Sequence, residues 1–396
     1  MNSKTKSFTE TAGRIMKKIT TFLLILSILI STCGFCAFAA PTPEDFTAKS
    51  AILMEASTGK ILYEYNKDEK LAMASITKLM PLLITMEKLD AGEITLDTQI
   101  TGSPKAKEVG GSTIFLDVGE KMALNDIIKG ICIASGNDAT IALAETLAGS
   151  ENDFAALMNQ KAYELGMTNT NYVNVTGLDA DNHYSSAYDT ALLAKEIITK
   201  HPEILNYTTI REEWLRGNRT QLINTNRLLS TYQYTTGLKT GTETNAKYCV
   251  VATAKKDNMD LIAVILGAED TNSRFAEAKM LLQYGYSSYE LSHPVEDNEL
   301  VGAVTVNKGA KDSVNAIIKN PSGVVVPKTY SDNIKKEVTL FKDVPAPIKA
   351  GDIIGEMVIS AAGEPITTVP VVAEEDVNKL NFWQAIWKVF AAVFEF

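Results

Sequence analysis

Residues 73–80 read "MASITKLM", and the reading of this stretch decides the rest of the chain. Ser75 and Lys78 stand three positions apart at the head of an apolar run, Ile76, Leu79, Met80, Leu83 and Met86, whose spacing predicts a helix. Residues i and i+3 share a helix face, so the two side chains are neighbours in space. A serine hydroxyl needs a base within hydrogen-bond reach to act as a nucleophile near neutral pH. A lysine in a dry cleft can lose its proton and serve as that base. The helix N-terminus also favours negative charge developing beside Ser75. Pro81 removes a backbone donor and crowds the Thr77 carbonyl, so a local distortion is expected just after Lys78. Taken alone, Ser-x-x-Lys is equally the start of a capped surface helix.

Two further motifs change that balance. Ser135-Gly136-Asn137 falls between two expected helices, one ending near Ile131 and one opening "DATIALAETLAG". Lys239-Thr240-Gly241 falls at the end of an expected strand, "TTGLKTG". Each could be ordinary turn chemistry. Three such motifs, in this order and on these elements, are hard to attribute to chance.

The surrounding pattern predicts an α+β fold. "AKSAILMEASTGKILYEYN" reads as a β-hairpin, and Ser150-x-x-Asp153 and Ser186-x-x-Asp189 read as capped helix starts. "TTGLKTG", "KYCVVATAKK" and "LIAVILGAE" read as consecutive antiparallel strands, followed by a helix behind Asn272. Helices clustered between two sets of strands imply an antiparallel sheet covered by helices. After residue 293 the chain becomes short strands with turns between them, a small all-β domain. The last segment, "NKLNFWQAIWKVFAAVFEF", places Asn381, Gln384, Lys388 and Glu395 on one narrow helical face and aromatic and aliphatic residues around the rest. It is shorter than the roughly 20 apolar residues that span a bilayer, so it is expected to lie in the membrane interface.

The first 39 residues are expected to be removed. Arg14, Lys17 and Lys18 precede the apolar "ITTFLLILSILIS", and "CAFAA" offers a small-x-small cleavage site after Ala39. The expected organisation is therefore a leader over 1–39, a catalytic domain over 40–292, a β domain over 293–372 and an amphipathic anchor over 373–396. The protein is expected to be exported and held peripherally on the outer face of the cytoplasmic membrane. The chain carries a formal charge of −10, which argues against nucleic acid as a partner. Only Cys132 and Cys249 follow the leader, both in apolar contexts that predict buried free thiols. His183, His201 and His293 are scattered without metal-ligand spacing, and no Gly-rich phosphate loop is present, so no metal or other cofactor is expected.

Taken together, Ser-x-x-Lys, Ser-x-Asn and Lys-Thr-Gly resemble the active-site set of penicillin-binding proteins and class A β-lactamases. The chain looks most like a low-molecular-mass penicillin-binding protein of the D-alanyl-D-alanine carboxypeptidase family, from about Ser50 onward. "SGNDATIALAE", "LGMTNTNYVNVTGLD", "YSSAYDTALLAK" and "GLKTGTETNAKYCVVATA" carry the likeness. The resemblance implies removal of the terminal D-alanine from peptidoglycan stem peptides ending in D-Ala-D-Ala, with β-lactams as covalent inhibitors. It implies Ser75 as nucleophile, Lys78 as general base and Ser135 as proton relay. Asn137, Lys239, Thr240, Gly241 and Thr242 would bind substrate, with Arg274 assisting Thr240 at the terminal carboxylate. The backbone N–H groups of Ser75 and Thr242 would form the oxyanion hole. A DD-endopeptidase would use the same residues. A β-lactamase would need a deacylating glutamate; "HPEILN" offers Glu203, but its spacing to Asn206 is three rather than the four of the class A pattern.

Overall fold

The computed structural model describes residues 40–394, with side chains described as far as 390. The expected leader, residues 1–39, and Glu395 of the expected polar face lie outside the described residues.

The central sheet has five antiparallel strands: β1 (Ser50–Glu55), β2 (Ile61–Tyr65), β3 (Thr235–Glu243), β4 (Lys247–Lys256) and β5 (Met259–Ala268). Their order is β2-β1-β5-β4-β3, so β3 is an edge strand. Alternation along the strands fills both faces. Ile52, Met54, Val251, Ile262, Val264 and Leu266 point into one core, and Ala51, Leu53, Val250, Leu261, Ala263 and Ile265 into the other. Because neither face meets water, the inner strands β1, β4 and β5 carry apolar runs even though they are antiparallel, while the edge strands β2 and β3 do not.

The longer helices on the first face are α1 (Leu79–Asp90), α2 (Leu124–Ile133), α3 (Asn137–Ala148), α4 (Glu151–Glu164) and α5 (Ala187–Lys200). The second face is covered by α6 (Thr271–Ser288), through Phe275, Ala278, Leu281 and Leu282. Ser150 and Ser186 cap α4 and α5 as expected, accepting from the N–H groups of Asp153 and Asp189. The cap of α6 is Asp270, which accepts from the N–H groups of Asn272 and Ser273, so this helix begins before the expected Asn272. The distortion expected just after Lys78 is not found: the α-helix runs unbroken from Leu79 through Pro81 to Asp90, and the irregular turn lies before it. Ala74–Lys78 is a 3₁₀ turn, and the α-helix begins only at Leu79. Pro81 then occupies the first turn of α1, where a missing N–H leaves no intrahelical bond unmade. Cys132 and Cys249 are buried and unbridged.

The C-terminal part holds β6 (Tyr289–Ser292), β7 (Leu300–Asn307), β8 (Ser313–Ile318), β9 (Val324–Pro327), β10 (Ile334–Leu340), β11 (Asp343–Pro345), β12 (Ile353–Ala361) and β13 (Glu364–Ala373). Six of these form one sheet in the order β10-β12-β13-β8-β7-β11, while β6 pairs with β9. β6, which directly follows α6, is thus paired with a strand from beyond residue 293. The chain also continues to pair past residue 373. Ile348 and Val377 exchange backbone bonds, and the Leu380 N–H donates to Lys308 O. Residues 374–380 therefore belong physically to the β unit.

The last helix, α7 (Phe382–Phe394), is joined to this unit by its polar side. Asn381 and Gln384 bond reciprocally at its start, and Lys388 meets the Asp312 carboxylate and the Gly309 carbonyl. Phe382, Trp383 and Trp387 are more than 70% exposed. Among the described residues no helix is long and apolar enough to cross a membrane.

Candidate active site

The 3₁₀ turn aims Ser75 and Lys78 at each other. Lys78 Nζ donates to Ser75 Oγ at 2.7 Å and to the Thr176 carbonyl at 2.7 Å. Lys78 is fully buried, whereas Ser75 is half-exposed at a cleft. Burial holds the Lys78 ammonium well below its ordinary pKa, and the nearby Lys239 charge pushes it the same way, against Glu243 and Asp138. The turn is kept in place by its backbone. Ala74 has φ of +49°, a left-handed conformation costing an L-residue about 1–2 kcal/mol. Gly241 of β3 runs so close that a Cβ there would lie 2.7 Å from Met73 O and 3.1 Å from Ser75 N.

Ser135 lies between α2 and α3, also left-handed, with φ of +62°. Its Oγ accepts from Lys239 Nζ at 2.8 Å, and Lys239 also reaches the Thr240 carbonyl at 3.0 Å. Burial lowers the Lys239 pKa to about 7, opposed by Cys132 and aided by Arg274. Asn137 is the first residue of α3. Its Nδ2 donates to Gly110 O at 2.6 Å, its N–H donates to Ser112 O at 2.7 Å, and its Oδ1 is buried with no protein partner. Asp138, next along, accepts from the Ile114 and Leu116 N–H groups and so holds the segment that carries Gly110 and Ser112. Thr240 Oγ1 pairs with Thr225 Oγ1 at 2.6 Å. Arg274 stands against the end of β3, where Nη1 donates to Gly241 O and Thr242 Oγ1 at 2.9 Å each.

These groups surround a cleft of about 310 Å³. Seven of the nine residues expected from sequence line it: Ser75, Ser135, Asn137, Thr240, Gly241, Thr242 and Arg274. Lys78 and Lys239 are bonded to Ser75 and Ser135 from beneath. Glu203 does not line it and is exposed in a 3₁₀ turn, Pro202–Ile204. A half-buried hydroxyl with a buried amine 2.7 Å away can form an acyl-enzyme, and a second amine–hydroxyl pair beside it can move a proton.

Sequence reasoning missed several parts of the wall. Ser112, Thr225 and Glu243 line the cleft without belonging to a motif. The Thr176 carbonyl is a backbone group and so leaves no side-chain signal. Its loop was nonetheless legible as a turn. Asn174 Oδ1 accepts from the Thr176 and Gly177 N–H groups, and Gly177 has φ of +82°. A Cβ at Gly177 would lie 1.9 Å from Ala74 O, so this loop presses directly on the nucleophile turn.

The catalytic part and the β part match two families in sequence. Residues 37–270 match the model of D-alanyl-D-alanine carboxypeptidase, and residues 289–379 match that of the penicillin-binding protein 5 C-terminal domain. The chain belongs to the D-alanyl-D-alanine carboxypeptidase family, which makes it a serine-type carboxypeptidase. It is 42% identical to the D-alanyl-D-alanine carboxypeptidase DacF of Bacillus subtilis, over 93% of this chain and 96% of that one. It is 36% identical to DacC of Escherichia coli, over 91% of each. Its fold superimposes on penicillin-binding protein 5 from Haemophilus influenzae with a TM-score of 0.80 at 31% identity, covering 86% of this chain and all of the other. An ampicillin-bound penicillin-binding protein D2 from Listeria monocytogenes matches 62% of the chain at 29% identity, with a TM-score of 0.57.

Proposed function

We propose that the cleft removes the terminal D-alanine from peptidoglycan stem peptides ending in D-Ala-D-Ala, through an acyl-enzyme on Ser75. The observation that carries this reading is the 2.7 Å contact from buried Lys78 Nζ to Ser75 Oγ. Neutral Lys78 takes the Ser75 proton as Oγ attacks the carbonyl of the penultimate D-alanine. The oxyanion is received by the Ser75 and Thr242 N–H groups, each such donor being worth about 3 kcal/mol. The C–N bond then breaks, and the departing amine of D-alanine takes a proton through Ser135, which Lys239 holds. Water hydrolyses the ester and restores Ser75. Asn137 bonds the substrate amide, and its unpartnered Oδ1 supplies an acceptor for that purpose. Lys239 and Thr240 receive the terminal carboxylate. Arg274 acts one step back, holding Gly241 and Thr242 and adding positive charge. A β-lactam acylates the same serine. The exposed position of Glu203 favours this scheme over a β-lactamase.

The working place we propose is the outer face of the cytoplasmic membrane. The leader would be cut after Ala39, and the aromatic side of α7 would sink into the interface while Lys388 ties its polar side to Asp312. The test of the reaction is D-alanine release from a peptide ending in D-Ala-D-Ala by native protein and by Ser75→Ala. Release by the native protein alone is expected. Equal release by both overturns the assignment of Ser75.

A further inference from the structure

One buried titratable group at the site has no part in this scheme. His183 closes the loop that carries Thr176 and is 6% exposed. Its Nδ1 accepts from the Val173 N–H at 3.0 Å, so that nitrogen carries no proton. In the neutral ring the proton is then on Nε2, which sits 2.8 Å from Thr77 Oγ1 and donates to it. Burial brings the ring's pKa down to about 4, against the carboxylate of Asp179, so the ring is neutral across the working pH range. Thr77 is fully buried and immediately precedes Lys78. The loop therefore meets the nucleophile turn at three places: Gly177 on Ala74, the Thr176 carbonyl on Lys78, and His183 on Thr77.

We propose that His183, as the Nε2–H tautomer bonded to Thr77, is a positioning residue that clamps the 174–183 loop onto the nucleophile turn and keeps Lys78 dry. It touches neither substrate nor the reacting atoms. The inference rests on the reading of Lys78 as general base. The sign of its effect follows from what surrounds Lys78. Burial is the main influence lowering its proton affinity, with Lys239 adding to it and Glu243 and Asp138 opposing. Lifting the loop removes one carbonyl from the ammonium, which water replaces, and it removes the burial, which nothing replaces. Lys78 then holds its proton to higher pH, and acylation at neutral pH slows.

The test uses the full chain and the second-order rate of acylation by a fluorescent penicillin, followed between about pH 5.5 and 10. Native protein should show a limb that rises with pH as Lys78 deprotonates, and any fall as Lys239 gives up its charge is common to native protein and variants. His183→Asn is too short to reach Thr77, and Thr77→Val lacks the hydroxyl. Each should acylate about tenfold more slowly at neutral pH, with the rising limb moved up by about one pH unit and the rate recovered at high pH. His183→Gln places an amide N–H near the Nε2 position and should stay closer to native. The double variant should be no slower than the worse single one, because both changes cut the same bond. Folded His183→Asn with the native limb, or with a rate lowered equally at every pH, overturns the clamp. If His183→Asn does not fold, Thr77→Val decides by the same criteria. Native protein that takes no label overturns the acyl-enzyme reading itself; labelled native protein with unshifted variants overturns only the clamp.

Discussion

Asp138→Ala separates the scaffold of the cleft from its chemistry. The Asp138 carboxylate is almost fully buried and accepts from the N–H groups of Ile114 at 3.0 Å and Leu116 at 2.9 Å, both wholly buried residues. It also accepts from the Ala139 N–H at 2.8 Å, within the first turn of α3. Alanine leaves the first two donors without partners, at about 1–3 kcal/mol each, and the release of a buried carboxylate offsets part of the loss. A net loss of about 3 kcal/mol is expected, or roughly 6–12 °C in the midpoint of thermal unfolding of the catalytic part. Because the freed segment carries Gly110 and Ser112, which hold Asn137, penicillin acylation should also slow by about an order of magnitude. Asp138→Asn keeps one acceptor oxygen and should lose about half as much stability. It also removes a negative charge that raises the proton affinity of Lys78, so its acylation limb should move to lower pH. Calorimetry and stopped-flow labelling read both effects. An Asp138→Ala protein within about 1 kcal/mol of native would show that Ile114 and Leu116 find other partners and that the argument from orphaned donors fails here.

Other outcomes follow from the same geometry. Gly177→Ala must place a Cβ 1.9 Å from Ala74 O at a φ of +82°, so penicillin labelling should fall by an order of magnitude or the protein should not accumulate; native labelling by a stable variant would mean the loop can move aside cheaply. Lys239 gives up its charge as pH rises through about 7, so KM for a substrate ending in carboxylate should climb above neutrality while kcat still gains from deprotonation of Lys78; a KM flat to high pH would remove Lys239 from carboxylate binding. Truncation after Leu380 keeps every backbone pairing of the β unit, including Val377, and should move the protein from membranes to the soluble fraction with labelling intact. Retention on membranes would place the anchor elsewhere.

The motifs were legible in sequence because each needs particular side chains at fixed spacing: Ser75 with Lys78 on one turn, Ser135 with Asn137 at a helix start, and Lys239 on a strand. The strands β4 and β5 were legible from apolar runs bounded by turns, whereas β3, with Leu238 as its one large apolar residue, was legible only from its place ahead of them. What escaped was whatever depends on contacts between distant segments. His183 bonds Thr77 across 106 positions, and Asp138 holds Ile114 across 24. No local pattern distinguishes either from a surface polar residue. β11 was too short to register, and β6 was hidden in the turn after α6. The division expected at residue 373 sets off the amphipathic last segment, whereas the chain itself goes on pairing to Leu380.

Ala74 and Ser135 hold left-handed backbone on either side of the reacting centre. Each gives up about 1–2 kcal/mol that a glycine would retain. The sequence that folds most firmly is therefore not the one that works best. A search for thermostable variants would be drawn to Ala74→Gly, and it would gain melting temperature by letting the nucleophile turn wander. At these two positions turnover and sturdiness therefore pull against each other. Relatives that keep a side chain at both places under heat or denaturant would record which of the two pressures prevails.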